Sequence, residues 1–431
     1  MTVTLTLLVL LLILLILSIP VGATMGVLGL LLGKLFSPFP IHRALGEVAW
    51  TGSTDFVLFA IPLFILLGQI LLRSGIAEVT YKAADKWLSW LPGGLMHANI
   101  FASALFAATS GSSVATAATI GTLALPQAKK YGYNEALFAG SVAAGGTLGI
   151  LIPPSINLIV YGFLTNTSIP RLFVAGIIPG IILALLFMAF ILIACIIKPE
   201  LGGRKHVEKV EWRERINSLR DLIPTFIVFL IVIGSIYAGF ATPTESAAMG
   251  VIAGLILAWK RKKLSLKMIR ESFEGTLSAT GMIAFILLAA TFLNFVLVSL
   301  GLTDVLRDFI SNLGLSPFQT LLLIIFVYII MGFFIETLSM MVLTIPIVFP
   351  IIVDCGYDPI WFGVLLIVLI EMALITPPVG LNLYVVQGIR EKGNISDIIV
   401  GSIPFAFVML VMIALLVKFP GLATFLASRV G

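Results

Sequence analysis

Apolar segments long enough to cross a lipid bilayer recur along the whole chain, and they constrain its fold more than any other feature. A transmembrane helix needs about 20 mostly apolar residues, and runs of about 17 to 25 recur from one end to the other. Accordingly, 60% of the residues are hydrophobic and only 11% are charged, whereas ordinary soluble domains carry about 25% charged residues. A transmembrane β-barrel would show short alternating segments, which are absent. The sequence therefore predicts an all-α polytopic membrane protein.

Two basic segments set the expected orientation. They cover residues 198–220 and 259–270, and the two predicted spans between them, 222–240 and 244–258, are joined by YAGFATPTES. Cytoplasmic loops of membrane proteins are enriched in Lys and Arg, so both basic segments are expected in the cytoplasm and the joining loop outside. Glu245 in that loop is expected to cap the following helix.

Four of the apolar segments are interrupted. Residues 95–130 and 319–354 are broken at TSGSS and FFIETLS. Each is expected to form a re-entrant helical hairpin, because the count of crossings then agrees with the basic loops. Residues 136–163 and 360–387 each contain two adjacent prolines. A proline inside a helix removes a hydrogen bond and clashes with the preceding turn, so both segments are expected to be broken transmembrane helices.

The two halves of the chain match each other at a fixed offset of 224 residues. Six identities occur at this offset: Pro126, Gly132, Tyr133, Phe138, Pro153 and Pro154 match Pro350, Gly356, Tyr357, Phe362, Pro377 and Pro378. With one residue of slippage, Asn157 matches Asn382. Corresponding segments are predicted to cross in opposite directions, so the repeat is expected to be inverted. Inverted repeats with interrupted spans are typical of secondary transporters, whose binding sites lie near the bilayer midplane.

The repeat suggests a division of the chain into four parts. Residues 1–94 are expected to form N-terminal scaffold or arm helices, and 95–197 the first half of a transport domain. Residues 198–318 would contain a cytoplasmic linker and the scaffold helices of the second repeat. Residues 319–431 would form the second half of the transport domain, which includes a final helix over 397–418.

The first hairpin and the first broken helix together predict a cation site. A broken helix in hydrocarbon leaves backbone carbonyls without partners, and such hard oxygen ligands suit a small cation. The hairpin tip adds serine hydroxyls. The expected ligands are Ser110, Ser112, Gly149, Ile152 and Pro154.

The repeat predicts a second cation site from Phe334, Glu336, Ala373, Thr376 and Pro378. Glu336 and also Glu371 stand in apolar surroundings, where ionisable residues are functional candidates. Each could be a cation ligand, a proton carrier or a group that orients the broken backbone. Small and hydroxyl residues in membrane helices also serve close packing. The prediction therefore depends on the pairing of hairpin and broken helix, found twice, and not on any single residue.

Several function classes are disfavoured. The chain has no G-x-x-x-x-G-K-[ST] motif, so the energy for transport is expected from an ion gradient or from another subunit. No nucleophile–base pair or cluster of metal ligands is evident, which argues against an enzyme, and no organic cofactor is expected. The net charge of +5 comes from basic residues in loops, where they report topology and not nucleic-acid binding.

Four motifs carry a family resemblance. They are SGSSVATAATIGTLALPQAKKYGY, GGTLGILIPPSINLIVYG, AGFATPTESAAMG and EMALITPPVGLNLYV. In these motifs, in their order and in length, the chain resembles the large membrane subunit of tripartite ATP-independent periplasmic (TRAP) transporters, the DctM-like permeases.

The resemblance implies Na⁺-coupled uptake of an organic anion, typically a carboxylate, across the bacterial inner membrane, with a transport domain that moves by an elevator mechanism. It implies two partners, a small four-helix membrane subunit and a periplasmic substrate-binding protein. The two cation sites above would then be Na⁺ sites. The substrate pocket is expected near Asn157, with Ser113, Asn382 and Glu371 as further candidates. Members that carry sialic acid have a basic residue two positions after Asn157, where this chain has Ile159.

Two other readings stay open. A stand-alone sodium–dicarboxylate symporter could use the same two-hairpin plan, and it would transport without the small subunit or the binding protein. An ion channel could also contain re-entrant loops, and it would pass ions without sodium-dependent uptake of a solute.

Overall fold

The structure of the chain is a computed structural model. It describes residues 2–17, 19–203, 211–302, 305, 307–308, 313–390 and 392–429; parts of the basic segment 198–220 and of the expected region 198–318 lie outside the described residues. Within the described ranges, every regular element is a helix. The all-α prediction is therefore confirmed for that part of the chain.

The first half contains α1 (Thr2–Ile16), α2 (Val21–Phe36), α3 (Leu45–Ser53), α4 (Ala60–Arg73), α5 (Ile76–Leu88), α6 (Leu95–Ser110), α7 (Ser113–Lys130), α8 (Glu135–Leu151), α9 (Ile156–Thr165) and α10 (Ile169–Ile197). The predicted break at TSGSS separates α6 from α7, and the first proline pair separates α8 from α9. Both interruptions of the helical backbone are where the sequence predicts them.

The second half contains α11 (Trp212–Phe229), α12 (Ser235–Tyr237), α13 (Pro243–Lys260), α14 (Leu266–Ser299), α15 (Pro317–Gly332), α16 (Thr337–Asp354), α17 (Pro359–Ala373), α18 (Leu381–Ile389), α19 (Ile395–Lys418) and α20 (Gly421–Ala427). The break at FFIETLS separates α15 from α16, and the second proline pair separates α17 from α18. Both pairs, Pro153–Pro154 and Pro377–Pro378, have cis peptide bonds.

Six helical segments in the described residues are long and apolar enough to cross a membrane, or seven if α8 and α9, bent by 41°, form one span. Helix α11 starts ten residues before the predicted span at 222, and it continues through a π-helical turn, Leu230–Gly234, into α12. Its first two turns, WRERINSLR, are charged and mostly exposed, which explains why a search for apolar residues misses them.

Helix α13, which follows the loop YAGFATPTES, begins with the predicted cap. The Thr242 hydroxyl accepts a hydrogen bond from the Glu245 backbone N–H, and the Glu245 carboxylate accepts one from the Thr242 N–H. This reciprocal pair is a capping box, which satisfies two of the free N–H groups at a helix start. The role predicted for Glu245 is confirmed.

The repeat is visible in the helix boundaries. Helix α16 begins and ends 224 residues after α7, and α17 begins 224 residues after α8. The caps match as well: the side chain of Asn134 caps α8 and that of Asp358 caps α17. The two halves therefore use the same chain plan in this region.

Contacts between the halves hold these helices together. Helix α8 packs on α19, where Gly140 and Gly401 approach so closely that neither has room for a side chain. The Tyr161 hydroxyl donates to the Pro359 carbonyl at 2.6 Å. Arg390, with only 7% of its side chain exposed, lies 2.8 Å from the Glu135 carboxylate.

A second group of helices packs beside this core. Helix α4 contacts α13 and α14, and α2 and α3 also pack on α14. Gly22 and Gly29 on α2 lie against the rings of Phe285 and Phe292, and a Cβ at Gly29 would lie 2.8 Å from the Phe292 ring. The absence of side chains at these glycines allows the close approach of α2 and α14.

Candidate functional site

Five of the fourteen candidate residues line a cavity of about 550 Å³, namely Ser110, Ser112, Ser113, Asn157 and Glu336, whereas Gly149, Ile152 and Pro154 of the first cation site lie outside its wall. All four helix breaks contribute to its wall, through residues 110–115, 150 and 156–157 of the first half and residues 336–339, 374 and 381 of the second. The rest of the wall comes from α4, α14 and the start of α2. The cavity therefore lies where the breaks of both halves meet the second group of helices.

The tip of the α6–α7 pair lies directly on the α8–α9 break. Gly111 has φ +61°, and a Cβ there would lie 2.8 Å from the Pro154 carbonyl oxygen. A Cβ on Gly149 would lie 2.6 Å from the Ser112 carbonyl oxygen. Glycine is needed at both positions because the two backbones almost touch. The structure thus brings Ser112, Gly149 and Pro154 together.

The serines at this tip have defined partners. The Ser110 and Thr116 hydroxyls lie 2.9 Å apart, and the Ser110 carbonyl oxygen packs on Gly68 of α4, where a Cβ would lie 2.9 Å away. Ser112 caps α7 by accepting from the Ala115 N–H at 3.4 Å. Ser113, a substrate-pocket candidate, lines the cavity and donates to the Thr147 carbonyl at 3.1 Å.

The prolines free particular carbonyls. In a continuous helix, the Gly149 and Ile150 carbonyls would accept from residues 153 and 154, which are prolines without an N–H. The Ile150 carbonyl accepts from the Ser155 hydroxyl at 2.5 Å instead. The Gly149 carbonyl is left without its helical donor. The Ile152 side chain faces α10, where a Cβ on Gly180 would lie 2.6 Å from it.

The second break repeats this pattern. The Ala373 and Leu374 carbonyls would accept from Pro377 and Pro378, which have no N–H. The Leu374 carbonyl accepts from the Asn382 N–H at 3.0 Å, so the Ala373 carbonyl is the one left without a helical donor. In each half, one freed carbonyl therefore has a new donor, namely that of Ile150 in the first half and Leu374 in the second. The other freed carbonyl, of Gly149 or Ala373, belongs to a residue of a predicted cation site.

Glu336 caps α16 at the second tip. One carboxylate oxygen accepts from the Leu338 N–H and the other from the Ser339 N–H, both at 3.0 Å. Glu336 lines the cavity, whereas the other four residues predicted for the second cation site are outside its wall. Phe334 is 68% exposed, Thr376 donates to the Met372 carbonyl, and the Pro378 carbonyl accepts from Tyr384.

The two matching asparagines differ. Asn157 lines the cavity, is 6% exposed, and its amide nitrogen has no hydrogen-bond partner among the described residues. Asn382 is fully buried outside the cavity wall, and its amide nitrogen donates to the Ala143 carbonyl at 3.1 Å. Glu371 is also fully buried outside the cavity wall, and its carboxylate lies near the Ile150 and Leu151 backbone of the first broken helix. Only Asn157 and Ser113 of the substrate candidates reach the cavity.

Known proteins match this chain over nearly its whole length. The sequence profile of the family described as the tripartite ATP-independent periplasmic transporter, DctM component, matches residues 8–422. The chain belongs to the DctM family. The C4-dicarboxylate TRAP transporter large permease protein DctM of Pseudomonas aeruginosa is 35% identical over 95% of this chain and 94% of its own length.

Two further proteins extend the comparison. The sialic acid TRAP transporter large permease protein SiaM of Vibrio cholerae is 31% identical over 93% of this chain and 96% of its own length. The YdaH transporter of Alcanivorax borkumensis has a similar fold, with a TM-score of 0.61 at 16% identity, covering 97% of this chain and 98% of that one. This DctM-family chain is therefore the large permease of a TRAP transporter, a multi-pass membrane protein and not an enzyme.

One part of the wall is formed by residues outside the predicted sites. Gln69 and Gly68 of α4 line the cavity of this DctM-family chain, as do residues of α2 and α14. Gln69 is the only uncharged polar side chain in AIPLFILLGQILLR, and that isolation in an apolar segment was the available signal.

Proposed function

We propose that this chain catalyses Na⁺-coupled uptake of an organic acid anion across the bacterial inner membrane. C4-dicarboxylates are the first candidate class, because the relative with 35% identity is named for them. The observation that carries the proposal is the meeting of four helix breaks, two from each half, around one cavity. Interrupted spans that meet at a repeat interface are where secondary transporters bind substrate and coupling ions.

In this proposal the freed carbonyls bind Na⁺. The first site would use the Gly149 carbonyl with Ser110, Ser112, Ile152 and Pro154. The contacts of Gly111 and Gly149 with the opposing backbone support it, since they bring oxygen atoms from two segments close together. The second site would use Glu336 and the Ala373 carbonyl with Phe334, Thr376 and Pro378.

The anion would lie in the cavity. Helices α7, α9, α16 and α18 all begin at its wall. A helix N-terminus presents free N–H groups and the positive end of the helix dipole, and both favour an anion. Asn157 adds an amide nitrogen that none of the described residues pairs with, and it can donate to a carboxylate. Glu371 and Asn382 would support the broken backbone from outside the cavity.

The same proposal assigns the movement and the partners. The α6–α7 and α15–α16 pairs would be re-entrant hairpins of an inverted repeat, and they would move with α8–α10 and α17–α19 as an elevator-type transport domain. Helices α2, α4, α13 and α14 would belong to the scaffold. A small four-helix membrane subunit would enlarge this scaffold, and a periplasmic substrate-binding protein would deliver the anion.

Uptake in proteoliposomes tests the proposal. The chain is reconstituted with the small subunit and the binding protein, and uptake of labelled succinate and of sialic acid is measured with and without an inward Na⁺ gradient. We expect uptake of one of the two anions that needs the gradient and both partners. The Ser110→Leu variant should lose it, whereas Thr122→Val, on the exposed face of α7, should keep it.

Each comparison in this uptake experiment can contradict a different part of the proposed function. Uptake that ignores Na⁺ would overturn the coupling. Full uptake without the two partner proteins would favour the stand-alone symporter. An ion current without uptake of either anion would favour the channel.

A further inference from the structure

Gln69 places a polar side chain of α4 in the cavity wall, although the surrounding helix is apolar. Polar groups inside a membrane protein are costly to bury and commonly mark a substrate pathway. Helix α4 does not belong to either set of broken helices, so Gln69 would contact a bound anion from the scaffold side.

Arg73 fixes the orientation of this amide. Its Nη1 atom donates to the Gln69 Oε1 atom at 2.5 Å and to the Gln69 backbone carbonyl at 3.1 Å. A guanidinium group has donors and no acceptor, so the amide oxygen must face Arg73. The two N–H donors of Gln69 Nε2 are therefore directed away from the guanidinium group.

Two features of α14 hold this arrangement in place. The Glu271 carboxylate lies 3.4 Å from the Arg73 Nε atom, so the guanidinium group is held between α4 and α14. Gly275 lies against the Gln69 amide, and a Cβ there would be 2.8 Å from Oε1. A side chain at Gly275 would displace the amide from its position beside Arg73.

Among the described residues, the cavity wall offers an anion neutral donors, and Glu336 adds a carboxylate that the proposed function assigns to Na⁺. The described residues that line the cavity include no Lys, Arg or His, while Asn157 on α9 contributes an amide nitrogen that has no partner in the described part of the chain. Arg73 does not line the cavity, and its guanidinium group is connected to the wall through its hydrogen bond to the Gln69 amide. Such an arrangement presents hydrogen-bond donors to an anion without a direct ion pair, and a transported species must be bound weakly enough to leave again.

We propose that Gln69 binds the anionic group of the substrate through Nε2, and that Arg73, held by Glu271, is a positioning residue that acts only through Gln69. This inference rests on the proposed function and names the scaffold contact of its substrate. The anion would thus contact Asn157 on α9 and Gln69 on α4 in this state of the protein.

The experiment measures the anion affinity of variants of the purified membrane complex. Gln69→Glu keeps an oxygen for Arg73 but replaces the donors by a negative charge, and Gln69→Asn withdraws the donors by one methylene. We expect the succinate or sialic acid concentration for half-maximal thermal stabilisation to rise at least about 10-fold in Gln69→Glu and about 3-fold in Gln69→Asn, since bonds to charged groups are the stronger ones. The uptake rate at saturating anion should fall much less.

A double-mutant cycle separates positioning from a general structural role. Arg73→Gln alone should weaken binding about 3-fold, and it should have no further effect in the Gln69→Leu background. Lys82→Gln is the matched control, because Lys82 forms an exposed ion pair with Glu78 on the neighbouring α5 and is not in the cavity wall. It should behave like wild type.

Two outcomes contradict the inference in different ways. If the wild type accumulates an anion and both Gln69→Glu and Gln69→Asn bind it within twofold of the wild type, the role of Gln69 is wrong while the proposed function stands. If the wild type neither accumulates nor is stabilised by either anion, the proposed function fails, and this inference fails with it.

Discussion

The two halves of the protein break their helices at equivalent positions but close the breaks with different chemistry. In the first half, Gly111 and Gly149 let the tip of the α6–α7 pair touch the α8–α9 break. In the second half, the position equivalent to Gly149 is Ala373, which instead lies against Gly332 of α15. The shared proline pair thus fixes where the helix breaks, and the neighbouring small residues decide what approaches the break.

The tips differ in charge as well as in shape. Ser112 caps α7 with one neutral hydroxyl at 3.4 Å, whereas Glu336 at the equivalent position caps α16 with two carboxylate oxygens at 3.0 Å. A charged cap holds the helix start more firmly and places a negative charge at the cavity. If both tips bind Na⁺ as proposed, the second site has a formal charge and the first depends on dipoles.

The largest expected effect is at the close contact of the first half. Gly149→Ala would place a Cβ 2.6 Å from the Ser112 carbonyl, and overpacking of this kind costs about 1–3 kcal/mol. The Ser112 backbone would have to move away from the α8–α9 break, which would displace the oxygens proposed to bind Na⁺. Na⁺-dependent uptake should therefore fall more than about 10-fold. The matched variant Ala373→Gly removes a side chain instead of adding one and should keep most of the uptake. Equal loss in both variants, measured in proteoliposomes, would contradict the difference between the halves.

Effects of intermediate size are expected at the two asparagines, on stability for Asn382 and on anion affinity for Asn157. Asn382→Ala removes a buried bond to the Ala143 carbonyl and should lower the free energy of unfolding by about 1–2 kcal/mol. Asn157→Ala removes an amide nitrogen that has no partner among the described residues, so it should leave the unfolding temperature nearly unchanged and raise the anion concentration for half-maximal uptake. Thermal unfolding and uptake measured on both variants check this; a large loss of stability in Asn157→Ala would show a structural role instead.

The smallest effect is expected at the two caps. Glu336→Ala removes two bonds to backbone N–H groups and should cost about 1 kcal/mol, whereas Ser112→Ala, which removes one long bond, should cost about 0.5 kcal/mol. If Glu336 also binds Na⁺, its variant should raise the Na⁺ concentration for half-maximal uptake more than the Ser112 variant does. An equal Na⁺ dependence in the two variants would argue that Glu336 acts only as a cap.

Much of the fold could be predicted because the breaks have local causes. Residues Pro153, Pro154, Pro377 and Pro378 lack the N–H that a helix needs, and the structure ends α8 and α17 just before them. Ser110, Ser112 and Gly149 could be chosen as cation-site candidates because they lie beside breaks that are visible in the sequence. The start of α11 could not, because its charged first turns resemble a loop in composition.

The part of the site that escaped prediction depends on contacts between distant segments. Arg73 and Glu271 are 198 residues apart, and nothing in either sequence neighbourhood indicates that they meet. The sequence around Gly275 gives no sign of a special role. Only the structure shows that a Cβ at this position would lie 2.8 Å from the Gln69 Oε1 atom.

The sequence by itself determined that this chain crosses a membrane, that its two halves repeat, and where four of its segments break, because hydropathy and the missing proline N–H act on neighbouring residues. Only the tertiary structure decided which of two equivalent asparagines has a partner. Asn382 meets the Ala143 carbonyl of the other half and Asn157 faces a cavity, since hydrogen-bond partners depend on how the helices pack and not on the residue type.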